Sequence, residues 1–203
     1  MIFIVGPHCV GKTTVANYLS DRGFIHIETG DIVRQKHQEL APEMNFYNWA
    51  SENNNRFDHY IASYVEKALF QVYKSNGKLS DVVITGNRQI EGVNYLTENV
   101  KEVCKRPNLV IFMEAEEKTL YERHLQRLCR ETRSITFNLF KKEVLGYDKT
   151  MGLEKLRGIA NLVICNNTDI KECTKKIDEF LESNGYNLHS RNIEGNIGRI
   201  ESK

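Results

Sequence analysis

Residues 6 to 13, Gly6-Pro7-His8-Cys9-Val10-Gly11-Lys12-Thr13, complete the pattern G-x-x-x-x-G-K-T between an apolar run, Ile2 to Val5, and a helix-like stretch, Thr14 to Ser20. Strand, glycine loop and helix in that order constrain this chain more than any other feature. Glycines let consecutive backbone N–H groups converge on one anion, and the helix directs its positive end at the same point. Gly6, His8, Cys9, Val10, Gly11, Lys12, Thr13 and Thr14 are therefore read as the wall of a triphosphate site. Lys12 would reach the β- and γ-phosphates of ATP, and Thr13 a magnesium ion, Mg2+.

Four further apolar runs follow: Phe24 to Ile27, Val82 to Ile84, Leu109 to Phe112, and Leu162 to Cys165. Each is short, β-branched or aromatic, and nearly continuous, as strands covered on both faces of a parallel sheet are. Spacings of about 20 to 55 residues leave room for a right-handed crossover helix in each interval. The expectation is an α/β fold of the three-layer P-loop NTPase type with a five-stranded parallel sheet. With 203 residues, one domain is expected over 1–183, followed by a polar tail, 184–203, that is flexible or docks late.

The longest interval, about 29–80, is read as a helical acceptor-binding insert broken at Pro42, with a helix resuming from Phe57 to Tyr73. Its aromatic residues Phe46, Tyr47, Trp49 and Phe57 suit packing under a flap better than stacking on a flat ligand. A short lid is expected at about 123–140.

Charge excludes some partners. Lys and Arg total 28 against 27 Asp and Glu, so no overall field recruits duplex nucleic acid or an anionic membrane. No apolar run approaches membrane-spanning length, and Met1 leads straight into the first strand, from which a cytoplasmic location is expected. The five cysteines, Cys9, Cys104, Cys129, Cys165 and Cys173, lack C-x-x-C spacing and read as reduced thiols without a structural metal. Cys9 reads as a small buried filler, with sensitivity to oxidation as the alternative.

Further chemistry gathers after the strands, where ligands of open α/β sheets bind. Thr29-Gly30-Asp31-Ile32-Val33-Arg34 follows the second run and Thr85-Gly86-Asn87-Arg88-Gln89 the third. Each places an arginine just past a turn, and an arginine fork matches a phosphate bidentately. Thr29, Gly30, Asp31, Arg34, Gly86, Arg88 and Gln89 are the candidate acceptor site. Arg123 and Arg127, four apart on one helical face, would close on the triphosphate as a lid.

This order of motifs resembles the nucleoside monophosphate kinases, adenylate kinase in particular, over residues 1 to about 133. A closer likeness, to about residue 182, is to little-characterised archaeal kinase-like proteins near adenylate and dephospho-CoA kinases. It rests on Gly86-Asn87-Arg88-Gln89-Ile90 and Ala160-Asn161-Leu162-Val163. The resemblance implies that Arg34 and Arg88 bind the acceptor's phosphate and that Arg123 and Arg127 clamp the donor. It implies an ATP-dependent phosphotransferase acting on a small nucleotide, first a nucleoside monophosphate, alternatively a dephospho-CoA-type or modified-nucleotide hydroxyl. Asp31 would be a base for a hydroxyl acceptor, a metal carboxylate, or a helix cap.

Monophosphate kinases usually end strand three with a magnesium-holding aspartate, where this chain has Thr85. Either Asp31 supplies that carboxylate, or the metal leans on Thr13 and the phosphates. Asn166-Asn167-Thr168-Asp169 echoes the guanine-reading N-K-x-D but lacks its lysine, and no D-x-x-G stands at a strand end between it and the loop. In a kinase that segment, Asn167 included, would pass over the donor base. The remaining rival is a nucleotide-binding switch or ATPase without an acceptor.

Overall fold

The computed structural model describes residues 1–76, 81–102, 104, 106–128 and 135–188. Five parallel strands form one sheet in the order β2-β3-β1-β4-β5. They are β1 Ile2–Val5, β2 Ile25–Glu28, β3 Val82–Thr85, β4 Leu109–Glu114 and β5 Leu162–Cys165. Alternation along each strand divides the core. Ile2 and Ile4 of β1, with Leu109, Ile111 and Met113 of β4, face one cluster; Phe3, Val5, Val110 and Phe112 face the other.

The first cluster packs beneath α1 (Lys12–Ser20) and α10 (Ile170–Ser183), the second beneath α4 (Asn54–Asn76) and α5 (Ile90–Asn99). This is the expected three-layer arrangement. One expectation changes at β5, where Val163 and Cys165 are exposed and only the Leu162 and Ile164 side packs on the core. On that face α9 (Leu153–Gly158) packs on β4 and α5, so the edge strand is covered on one side only.

The interval after β2 holds α2 (Thr29–Leu40), α3 (Phe46–Glu52) and α4, with the break at Pro42. Trp49, Ala50 and Tyr147 form a third, smaller core with Val33, Phe46, Tyr47 and Met151 packed against it. Packing is thus the role of most insert aromatics; the Phe57 side chain lies outside the described residues. After α6 (Glu117–Leu128), residues 129–134 of the expected lid, including Cys129, also lie outside.

The chain resumes as α7 (Phe137–Phe140), a π-helical turn (Lys141–Leu145) and α8 (Gly146–Thr150). A π-turn inserts an extra residue and rotates the next helical turn about the axis. Phe140 and Val144 accordingly enter the first core cluster, whereas Tyr147 enters the third.

The tail begins docked. Tyr186 and Leu188 are buried in the first cluster, with Tyr186 stacked on Phe24 at 5.9 Å and the Arg106 guanidinium 4.6 Å above its ring. Two apolar side chains among polar neighbours suffice for this, and residues 189–203 lie outside the described ones. Cys9, Cys104, Cys165 and Cys173 are free thiols. Among the described residues no helix is long and apolar enough to cross a membrane.

Candidate functional site

The glycine loop turns off the end of β1 at Gly6, whose φ of +142° is joined to a lack of space. A Cβ there would lie 2.1 Å from the Met113 carbonyl oxygen of β4. Cys9, at φ 62°, and Gly11, at φ 100°, also take left-handed backbone, the conformation from which anion-binding nests are built. Lys12 is buried and its Nζ donates to the carbonyls of Gly6 (2.9 Å) and Pro7 (2.8 Å). Burial pushes its pKa down to about 8, with Arg88 adding to the effect and Asp148 and Glu28 opposing it. A cradle without room for a side chain and an ammonium at its rim fit a triphosphate.

The carboxylate beside Thr13 is Glu28. Thr13 Oγ1 donates to Glu28 Oε2 at 3.1 Å, and Thr85 Oγ1 donates to the same oxygen at 2.9 Å. Glu28 and Thr85 are register partners across β2 and β3, so strand two supplies the charge that strand three lacks. Burial would raise the Glu28 carboxyl, but Lys12, the Thr85 hydrogen bond and Arg34 hold it below its ordinary value. A hydroxyl and a carboxylate suit magnesium, which takes one or two protein ligands and completes its shell with phosphate and water.

Asp31 lies elsewhere. It is half exposed, pairs with Arg34 at 2.5 Å, and lines neither of the clefts that meet at the loop. Sequence reasoning ended the second strand one residue early, at Ile27, and so passed over Glu28. The signal was present in its position immediately before Thr29, at the end of the second apolar run.

Lys12, Thr13, Cys9 and Arg127 line both clefts. The first cavity adds Thr29, Gly30, Arg34, Gly86, Arg88 and Gln89, so the candidate acceptor residues other than Asp31 share one wall, with Val33, Phe46 and Tyr147 as its apolar part. The other cleft adds Gly11, Thr14, Arg123 and Asn166. Arg123 is anchored there, its Nη1 donating to the Asn166 carbonyl at 2.9 Å, and Arg127 faces both sides. Val10 is fully buried and contributes its carbonyl, which accepts from Asn166 Nδ2 at 2.8 Å. Asn167 turns away, bonded twice to Glu116, so Asn166 takes the place expected of it. The Cys9 thiol lies 3.9 Å from His124 Nδ1, and burial raises its pKa against Arg127 and Lys12, as a filler's would be.

Sequence reasoning missed Asp148 entirely. It lies on α8, far along the chain, with a buried side chain that takes the His8 backbone N–H at 2.9 Å and His8 Nδ1 at 2.9 Å. Arg88 Nη1 donates to the same carboxylate, and Arg88 Nη2 lies 3.1 Å from His8 Nε2. The pattern fixes the His8 tautomer. A carboxylate only accepts and a guanidinium only donates, so Nδ1 carries the hydrogen and Nε2 a lone pair. Burial would raise the Asp148 carboxyl, yet Arg88 and then His8 hold it well below the carboxylate range. Burial, seconded by Arg88, lowers His8 from 6.5 to about 4.

The His8 shift carries a pH dependence. Between pH 6.5 and 4 the unfolded chain binds a proton that the native His8 refuses, so stability falls as pH is lowered through that window. The full shift amounts to about 3 kcal/mol. Urea midpoints measured at both ends should converge in His8→Gln relative to the native chain; identical pH slopes would exclude the buried neutral imidazole.

Comparison with known proteins accords with this fold. Residues 2–144 match the AAA_18 family, described as an AAA domain. The chain belongs to that family. AAA_18 is a P-loop kinase family, so the likeness read from the motifs holds. The AAA_18 chain is 28% identical over 184 residues to a UPF0200 protein of Pyrobaculum aerophilum, covering 89% of this chain and 96% of the relative. Its fold is shared with a gluconokinase from Sinorhizobium meliloti (TM-score 0.53, 14% identity, 91% and 97% of the two chains). It is shared equally with a shikimate kinase from Bacteroides thetaiotaomicron (TM-score 0.52, 16% identity, 89% and 97%).

Proposed function

We propose that this protein transfers the γ-phosphoryl group of Mg-ATP to a small nucleotide whose phosphate is held by Arg34 and Arg88. One observation carries the reading: Lys12 and Thr13 of the loop line the same cavity as both arginines. A donor phosphate at the loop and an acceptor at the arginines would be neighbours, as in-line transfer requires. The names shikimate kinase and gluconokinase borne by the solved neighbours support a small-molecule acceptor.

Bound Mg-ATP would supply the phosphoryl group and a charge that spreads over its oxygens as transfer proceeds. Lys12 and Arg127 oppose that charge from the loop and from α6. Thr13 and Glu28 would hold the magnesium ion, Glu28 through the carboxylate to which Thr13 and Thr85 donate. Phe46 and Tyr147 close the cavity against water beside the acceptor.

The test is ADP release from Mg-ATP with a panel of ribo- and deoxynucleoside monophosphates and dephospho-CoA. Stimulation by one acceptor, lowered on the order of 10² to 10³-fold in Lys12→Ala, is the expected result. Slow release that no acceptor changes would instead favour a nucleotide switch or ATPase, and full activity in Lys12→Ala would overturn the loop assignment.

A further inference from the structure

His8 stands where the two halves of the site meet. It occupies the third position of the glycine loop, and its ring lines the cavity shared by Lys12, Thr13 and Arg88. Its Nδ1–H is committed to Asp148 at 2.9 Å, which leaves Nε2 as the basic nitrogen. A carboxylate behind an imidazole fixes the tautomer and stabilises the imidazolium formed when Nε2 takes a proton. Phosphate binding alone calls for nothing of the kind. Burying the Asp148 charge beside an anion site weakens the field of Lys12 and Arg88, so the dyad is explained by proton transfer better than by binding.

Asn87 points the same way. It lines the cavity, is 4% exposed, and its Oδ1 is buried with no hydrogen-bond partner among the described residues. A ligand bringing a hydrogen-bond donor would satisfy it. A hydroxyl is such a donor; a phosphate dianion carries none.

We propose that His8, backed by Asp148, is the general base that takes the proton from a hydroxyl group of the acceptor. The acceptor is then a phosphate-bearing alcohol and the product a new phosphate monoester. This rests on the phosphotransferase reading of the same site. The acceptor O–H bond breaks and its proton passes to Nε2. The freed oxygen pair forms the bond to the γ-phosphorus, while the bond from that phosphorus to the β–γ bridging oxygen breaks and ADP leaves with the electrons. Arg88 gives up Nε2 to hold the acceptor's phosphate and keeps Asp148 through Nη1.

The groups facing the His8 ring are Asp148, Arg88, Lys12, Tyr47 (5.9 Å between ring centroids) and Tyr147 (6.1 Å). Arg88 and Lys12 disfavour the imidazolium, and they are the cations that donor and acceptor phosphates would neutralise. The base therefore strengthens as the site fills.

The experiment uses the full chain with Mg-ATP, the nucleoside monophosphate panel and dephospho-CoA, with products followed by phosphorus NMR. A monoester is expected. A nucleoside diphosphate product would overturn the hydroxyl assignment and leave phosphoryl transfer standing; no acceptor-dependent ADP at all would overturn both. His8→Gln should lower kcat on the order of 10² to 10⁴-fold, remove the acidic limb of the kcat profile, and leave the KM for ATP within about threefold. Unchanged kcat in His8→Gln would sink the assignment. Heteronuclear NMR of the His8 ring in the resting protein gives a readout free of turnover: a neutral Nδ1–H ring, lost in Asp148→Asn, is expected, and an Nε2–H ring would refute the dyad.

Discussion

Arg88→Ala is expected to lose acceptor turnover and a large part of the fold's stability together. The guanidinium faces the cavity proposed for the acceptor, and it is also the cation that compensates Asp148, whose side chain is 4% exposed. Removing one partner of a buried pair leaves the other charge stranded, at a cost of about 3 to 5 kcal/mol. Loss of Arg88 makes it easier for His8 to take up a proton, but burial, the first cause of its lowered pKa, still opposes that charge. The urea midpoint should therefore drop steeply, and Asp148→Asn introduced alongside should restore most of it, as coupled neighbours do. Arg88→Lys separates the two roles: the charge beside Asp148 survives, but the fork that matches a phosphate is gone. It should fold nearly as well as the native chain while kcat/KM for the acceptor falls on the order of 10² to 10³-fold. A native midpoint in Arg88→Ala would show that Asp148 does not depend on Arg88.

Gly6→Ala should be comparably damaging for a steric reason. The added Cβ meets the Met113 carbonyl oxygen at 2.1 Å and its carbon at 3.1 Å, both backbone atoms of β4. Neither belongs to a flexible side chain. Relief would require parting β1 from β4 at a point where Val5 and Phe112 are register partners. Overpacking against backbone combined with a positive φ should cost about 3 to 5 kcal/mol and distort the loop enough to lower nucleotide affinity tenfold or more. Thermal denaturation and titration with a fluorescent ATP analogue measure the two effects. Gly158→Ala is the control, since its Cβ would have nothing within 4 Å. Equal stability of the two variants would mean that the β1–β4 junction is far more compliant than its packing implies.

What was legible in the sequence came from short-range pattern. The loop announced itself because strand, glycines, lysine and helix are contiguous, and β1 and β3 were found because buried parallel strands are nearly unbroken apolar runs. Arg34 and Arg88 line one cavity because both follow strand ends. The losses were of two kinds. Glu28 was hidden by a boundary error of one residue, which moved attention to Asp31, a side chain that pairs with Arg34 in solvent. Asp148 was hidden by distance: 140 residues separate it from His8, and no local pattern marks a carboxylate on a five-residue helix as buried. The π-turn that rephases α8 leaves no periodic signature either.

The small third core has an optical consequence. Trp49 is the chain's one tryptophan, and it is 5% exposed, with the His37 ring at 5.0 Å and Phe46 at 6.4 Å. Phe46 and Tyr147 belong to the same cluster and line the cavity that Lys12 and Arg88 share. Every photon of indole emission therefore originates at the joint between the insert and the helix that carries Asp148. A ligand that reorders that wall changes the intensity or colour of a single, native fluorophore, and the molecule reports the filling of its own cavity without a label.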